Sequence, residues 1–167
     1  MNTPSPEKRP LDTWSGYRDA VAELLAEART HVIVFDPDLA ETGLESPPCT
    51  ASLAALVRRE LPKDAIRFLL RDPSHLERDC PRLMRILADF GHRFAVRRLR
   101  PEQIEHAPES AFVIADGESV VLRFHHASPR GRVNRGGDPG VAELLTLFET
   151  LWLEAEQGPT GAQPLGL

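Results

Sequence analysis

His125 and His126 stand side by side in the stretch SAFVIADGESVVLRFHHASPRG, with Arg123 before them and Arg130, Arg132 and Arg135 after. No acidic residue falls between Glu118 and Asp138, so this segment is cationic as written. Imidazoles beside guanidiniums can hold a phosphate or a carboxylate, and one histidine could act as nucleophile or base. Adjacent residues on an extended chain point opposite ways, so at most one ring faces any pocket. A solvated loop is the plainer alternative. FDPDL offers a second candidate, placing Asp36 and Asp38 at the carboxyl end of a hydrophobic run, the edge where open α/β sheets bind ligands. Turn formation around Pro37 would explain the same residues without chemistry. His31, His75, His92 and His106 show no metal-ligand spacing.

The elements that must position these groups follow from hydrophobic period. After a polar, proline-rich lead-in over 1–11 that is expected to be disordered, Asp12 is expected to cap a helix with Trp14, Tyr17, Val21, Leu24, Leu25 and Ala28 along one stripe. HVIVF (31–35) and AIRFLL (65–70) are β-branched or apolar runs of strand length. A helix is expected from about Ser52 to Leu61, stopped by Pro62, and another through DPSHLERDCPRLMRILADFGH, ended at Gly91. RFAVRRL alternates as a third strand. SAFVIA and ESVVLRF flank Asp116-Gly117, a two-residue hairpin signal. GRVNRGGDPG lacks the ending of a P-loop and reads as a flexible loop. Asp138-Pro139 then opens a final helix carrying Val141, Leu144, Leu145, Phe148, Leu151 and Trp152. Helices and strands alternate early and a hairpin comes late, which predicts a three-layer α/β sandwich with a mixed sheet and a C-terminal hairpin followed by a helix. One domain over 12–156 and a flexible tail over 157–167 complete the organisation.

The totals exclude several classes. A chain of 167 residues with 41% hydrophobic content can bury one core unaided. No apolar run reaches membrane-spanning length and the first ten residues lack a signal-peptide core, which points to a cytoplasmic chain without a membrane partner. Cys49 and Cys80 are too few for a disulfide framework or a structural zinc site, and no metal or cofactor is expected. A net charge of −5 argues against nucleic-acid coating. Arginine makes up 18 of the 20 basic residues, a bias that suits bidentate anion contacts but also follows from a GC-rich coding habit.

The element order, with FVIADGESVV inside it, resembles a single phospholipase D-like domain and an uncharacterised bacterial family of that type. In that superfamily an H-x-K-x-x-x-x-D signature runs into a strand and its Asp is followed by Gly at a turn. Asp116-Gly117 occupies the Asp-Gly position. Counting back, Glu109 stands where the nucleophilic His belongs and Ala111 where the Lys belongs; RFHH (123–126) replaces the small-polar segment after the second strand. The family chemistry needs the imidazole to attack phosphorus and the ammonium to neutralise developing charge. A carboxylate and a methyl group supply neither. The resemblance therefore implies a non-catalytic domain that binds a small anionic ligand or a protein partner through Arg123, His125, His126 and Arg130. It also implies a homodimer, since single domains of the superfamily pair across that edge. Two alternatives stay open: altered chemistry using His125 or His126 with Asp36 or Asp38, and a phosphatase similar to haloacid dehalogenases, using the D-x-D pair. The latter lacks that family's later acidic motif.

Overall fold

The computed structural model describes residues 7–59 and 63–161. Leu61 and Pro62 lie outside the described residues, but the helix expected to reach them already ends at Val57, with Arg58 as its C-cap. One mixed sheet of eight strands runs in the order β1-β7-β6-β5-β2-β3-β4-β8. Its parallel part is β2 (Val32–Asp36), β3 (Ile66–Leu70) and β4 (Phe94–Arg98). β5 (Ala111–Ala115), β6 (Ser119–Arg123) and β7 (Gly131–Arg135) form an antiparallel meander joined to β2 through β5.

Successive residues of each strand point to opposite faces of the sheet, and both faces are covered. Val32, Val34, Ile66, Phe68, Val113 and Val121 face α1 (Trp14–Glu27), α2 (Pro47–Val57) and α4 (Pro81–Asp89). Ile33, Phe35, Leu69, Phe112, Ile114 and Val120 face α6 (Pro139–Glu154), with Phe148 and Trp152 stacked in that second core. The expected three-layer α/β arrangement is thus present.

Several expectations change in detail. Residues 7–11 of the lead-in form β1 (Glu7–Leu11), antiparallel to β7. GRVNR is strand β7 rather than loop, so the late hairpin is a three-stranded meander. Gly131 is required there, since a Cβ would lie 1.8 Å from the Leu122 carbonyl oxygen. In the expected tail, Gln157 joins Glu156 in β8, paired to Arg97 and Arg98 of β4. Arg98 and Arg100 both reach Glu156, at 3.0 and 3.4 Å. The cap of α1 is Thr13, whose hydroxyl accepts from Gly16 N–H at 3.0 Å, not Asp12. α2 starts earlier than expected, with Pro47 in its first turn. The third helical stretch is split at Cys80 into α3 (Ser74–Asp79) and α4, because Pro81 cannot continue the ladder. A short α5 (Pro101–Ile104) was not expected.

Candidate functional site

The carboxyl end of β2 and the end of β6 lie near each other because β5 sits between them, antiparallel to both. This register brings Asp36 to Arg123 across 87 positions of sequence. Asp36 is 3% exposed and Arg123 1%, and the two form a direct ion pair. Asp36 also accepts from the N–H groups of Leu39 at 2.7 Å and Asp38 at 3.2 Å. The loop closes tightly enough to hold Leu39 at φ 71°, a left-handed conformation rare for a branched side chain. Arg123 donates a second bond to the His126 carbonyl at 2.6 Å. Its guanidinium lies 4.7 Å from the Tyr17 ring centre and 5.3 Å from that of Trp14. Burial pushes the Asp36 carboxyl up, against the opposing pull of Arg123 and the two backbone donors. Burial likewise pushes the Tyr17 hydroxyl up.

Arg123 is therefore not part of an exposed basic edge. Other arginines of the segment are also committed: Arg132 to Asp138 at 3.2 Å, and Arg135 to Glu7, Glu23 and Glu27. Arg130 is exposed on the β6–β7 loop and forms no ion pair among the described residues. The cationic character read from the segment is thus largely neutralised by residues distant in sequence.

Above the buried pair lies a second cluster. Glu109 precedes β5, and its carbonyl accepts the His126 N–H at 2.8 Å. The Glu109 carboxylate lies 2.9 Å from His126 Nε2 and 3.6 Å from His125 Nε2. The two histidine rings are 4.6 Å apart and tilted by 34°. Both imidazoles thus turn towards one carboxylate, against the expectation that neighbours diverge, because this stretch leaves the strand and turns; Ser128 N–H closes onto the His125 carbonyl at 3.0 Å. His126 also lines a shallow cleft of about 150 Å³ with Asp36, Pro37, Asp38, Glu41 and Arg123. Larger hollows of about 470 and 850 Å³ run beside α4 and the C-terminal chain, away from these residues. Ala111 is wholly buried.

Asp116 is at the opposite end of the sheet. Asp116 (φ 56°) and Gly117 (φ 68°) both take left-handed conformations at the β5–β6 turn, as the hairpin signal predicts. The Asp116 carboxylate also accepts from the N–H groups of Arg29, Thr30 and His31 and from the Thr30 hydroxyl, at 2.8–3.2 Å. These donors outweigh its partial burial and hold the carboxyl below the ordinary range. Of the remaining histidines, His31 meets Thr30 and His75 meets Asp79.

Sequence reasoning singled out Asp36, Arg123, Glu109, His125 and His126 but did not group them this way. The Asp36–Arg123 and Glu109–His126 contacts depend on strand register, which no local spacing reveals. No helix among the described residues is long and apolar enough to cross a membrane.

Comparison with known structures gives the fold an independent footing. A phospholipase D family member, Nuc from Salmonella typhimurium, superposes with a TM-score of 0.62 at 16% identity, covering 92% of this chain and 99% of that one. NucT from Helicobacter pylori gives 0.61 at 10% identity, covering 92% and 100%. TrmBL2, an archaeal chromatin protein with a novel mode of DNA binding, gives 0.66 at 18% identity, covering 95% of this chain but 56% of its own. These identities establish a phospholipase D-like fold and nothing finer. The expectation against nucleic acid draws no support from a set that includes a DNA-binding protein. Among curated proteins, none matches by sequence. Residues 13–160 match one family model, and the chain belongs to that family, the Domain of unknown function (DUF7931).

Proposed function

We propose that this chain is a non-catalytic phospholipase D-like domain whose β2/β6 edge docks a protein partner, a second copy of the chain being the first to test. One observation carries the loss of chemistry. The position counted for the attacking imidazole is the Glu109 carboxylate, engaged with His126, and that for the cationic helper is the buried methyl of Ala111. An anionic carboxylate is repelled by a phosphodiester and does not replace the imidazole, and a methyl group cannot neutralise the developing charge. Beneath them the buried Asp36–Arg123 ion pair fills the edge.

Docking is favoured by what stays exposed. Phe124 is 57% exposed beside His125, and Arg130, exposed on the same loop, has no ion-pair partner among the described residues. An aromatic ring with an arginine is the composition of interface anchors. An anionic ligand would retain only His125, His126 and Arg130 as contacts. Light scattering after gel filtration tests the docking: a dimer that dissociates in Phe124→Asp and Arg130→Glu supports it. A monomer at every concentration removes the second copy as partner.

The His126–Glu109 contact at the cleft wall favours a second reading, an enzyme of altered chemistry in which Glu109 orients His126 as a base. Asp36 has no part in that reading, being locked to Arg123, and the same locking takes the first carboxylate of the pair away from a D-x-D phosphatase. Turnover in a broad hydrolase screen that is lost in His126→Ala would establish it.

A further inference from the structure

We propose that Glu109, His125 and His126 form a binding site for a divalent transition metal of the zinc type. One ligand atom from each residue lies within 4.8 Å of the other two. Zinc bonds to nitrogen and oxygen of about 2.0–2.2 Å in a tetrahedral arrangement set ligand atoms roughly 3.3–3.6 Å apart. The observed separations from the Glu109 oxygen, 2.9 Å to His126 Nε2 and 3.6 Å to His125 Nε2, bracket that spacing. Small side-chain rotations therefore suffice to admit an ion.

The support beneath the cluster is rigid. His126 is tied at both ends of its peptide unit, by N–H to the Glu109 carbonyl at 2.8 Å and by its own carbonyl to Arg123 at 2.6 Å. Arg123 is held in turn by Asp36 in the core. These bonds fix the backbone from which the His126 ring projects. Two imidazoles and one carboxylate suit zinc, cobalt or nickel rather than the oxygen-only sets that hold calcium or magnesium. Three protein ligands leave a fourth position open to water, on the solvent side of the cluster.

The ligands are not equivalent. The Ala127 N–H donates to His125 Nδ1 at 3.1 Å, so the neutral His125 ring carries its proton on Nε2. Coordination through Nε2 requires that bond to break and the proton to move. Glu109 and His126 therefore form the primary pair, and His125 closes the site at a local cost. The spacing of the histidines alone hides this site, because its carboxylate comes from 16 and 17 positions upstream.

The test uses the full chain and the metal ion alone. Calorimetric titration with zinc chloride should show saturable one-to-one binding, and cobalt(II) should develop the visible absorption of a tetrahedral site. Glu109→Gln and His126→Ala should each weaken binding by at least about tenfold, His125→Ala by less, and His75→Ala not at all. Far-ultraviolet circular dichroism checks that each variant is folded; Glu109 is 60% exposed, so its amide replacement leaves the core untouched. No saturable zinc binding in the wild type, or binding that survives both Glu109→Gln and His126→Ala, overturns the proposal. Neither result depends on the oligomeric state, so this site and the docking edge stand or fall separately.

Discussion

Asp36 and Asp116 sit at opposite ends of the same sheet and solve the problem of a carboxylate near a core in opposite ways. Asp116 gathers backbone N–H groups and a hydroxyl from the α1–β2 connection, and its carboxyl is held below the ordinary range. Asp36 is more deeply buried, meets one guanidinium and two backbone donors, and is pushed up by desolvation. The first arrangement ties a turn to a loop at little electrostatic cost. The second places two charges in the core, where each is tolerable only because the other is there. Asp116 is therefore read as architecture, whereas the Asp36–Arg123 pair defines what the candidate edge can and cannot do.

Breaking the core pair should give the largest effect. Arg123→Ala leaves Asp36 buried without its cation, and denaturant unfolding should show a loss of about 3–5 kcal/mol. Replacing both partners, Asp36→Leu with Arg123→Met, should recover most of that loss, since an apolar pair carries no desolvation penalty. Recovery will be incomplete because the Leu39 N–H then loses its acceptor. Asp116→Asn should cost less, about 1–3 kcal/mol at neutral pH. Its pH dependence has a definite sign. A folded pKa below the unfolded value of about 3.9 means that the Asp116 contribution is complete above that value. The contribution fades as pH falls through the folded pKa. The gap between wild type and Asp116→Asn should therefore narrow in acid. Asp36 works the other way: its raised folded pKa makes its contribution more favourable in acid, declining as pH rises above about 3.9. Thr30→Val removes one hydroxyl donor to Asp116 and should cost about 0.5–1.5 kcal/mol. His126→Gln, at the surface, should change stability by less than about 0.5 kcal/mol, whatever it does to metal binding.

The interior strands were legible because their side chains obey a two-sided burial rule that composition reveals: VIVFD and AFVIA are buried along their whole length, and IRFLL everywhere but at Arg67. β1 and β7 were not, because EKRPL and GRVNR carry charge, proline or glycine and become strands only by pairing with each other and with β6. Pro81 was visible as a breaker, yet apolar period carried the expected helix across it. Asp36, Glu109, Arg123, His125 and His126 were all identified as groups of interest. Their partnerships were hidden, because ion pairs across 87 and 17 positions depend on register. A cationic segment on paper became a mostly neutral edge once Asp36, Asp138, Glu7, Glu23 and Glu27 arrived from elsewhere in the chain.

The most direct test is hydrolysis of bis(p-nitrophenyl) phosphate by the purified chain, with and without added zinc, beside Glu109→Gln and Asp116→Asn. A domain whose attacking and charge-neutralising positions hold a carboxylate and a methyl group should release nitrophenolate no faster than buffer or zinc alone. Turnover above those controls that disappears in Glu109→Gln would show that this edge retains phosphoryl chemistry, and would contradict the account.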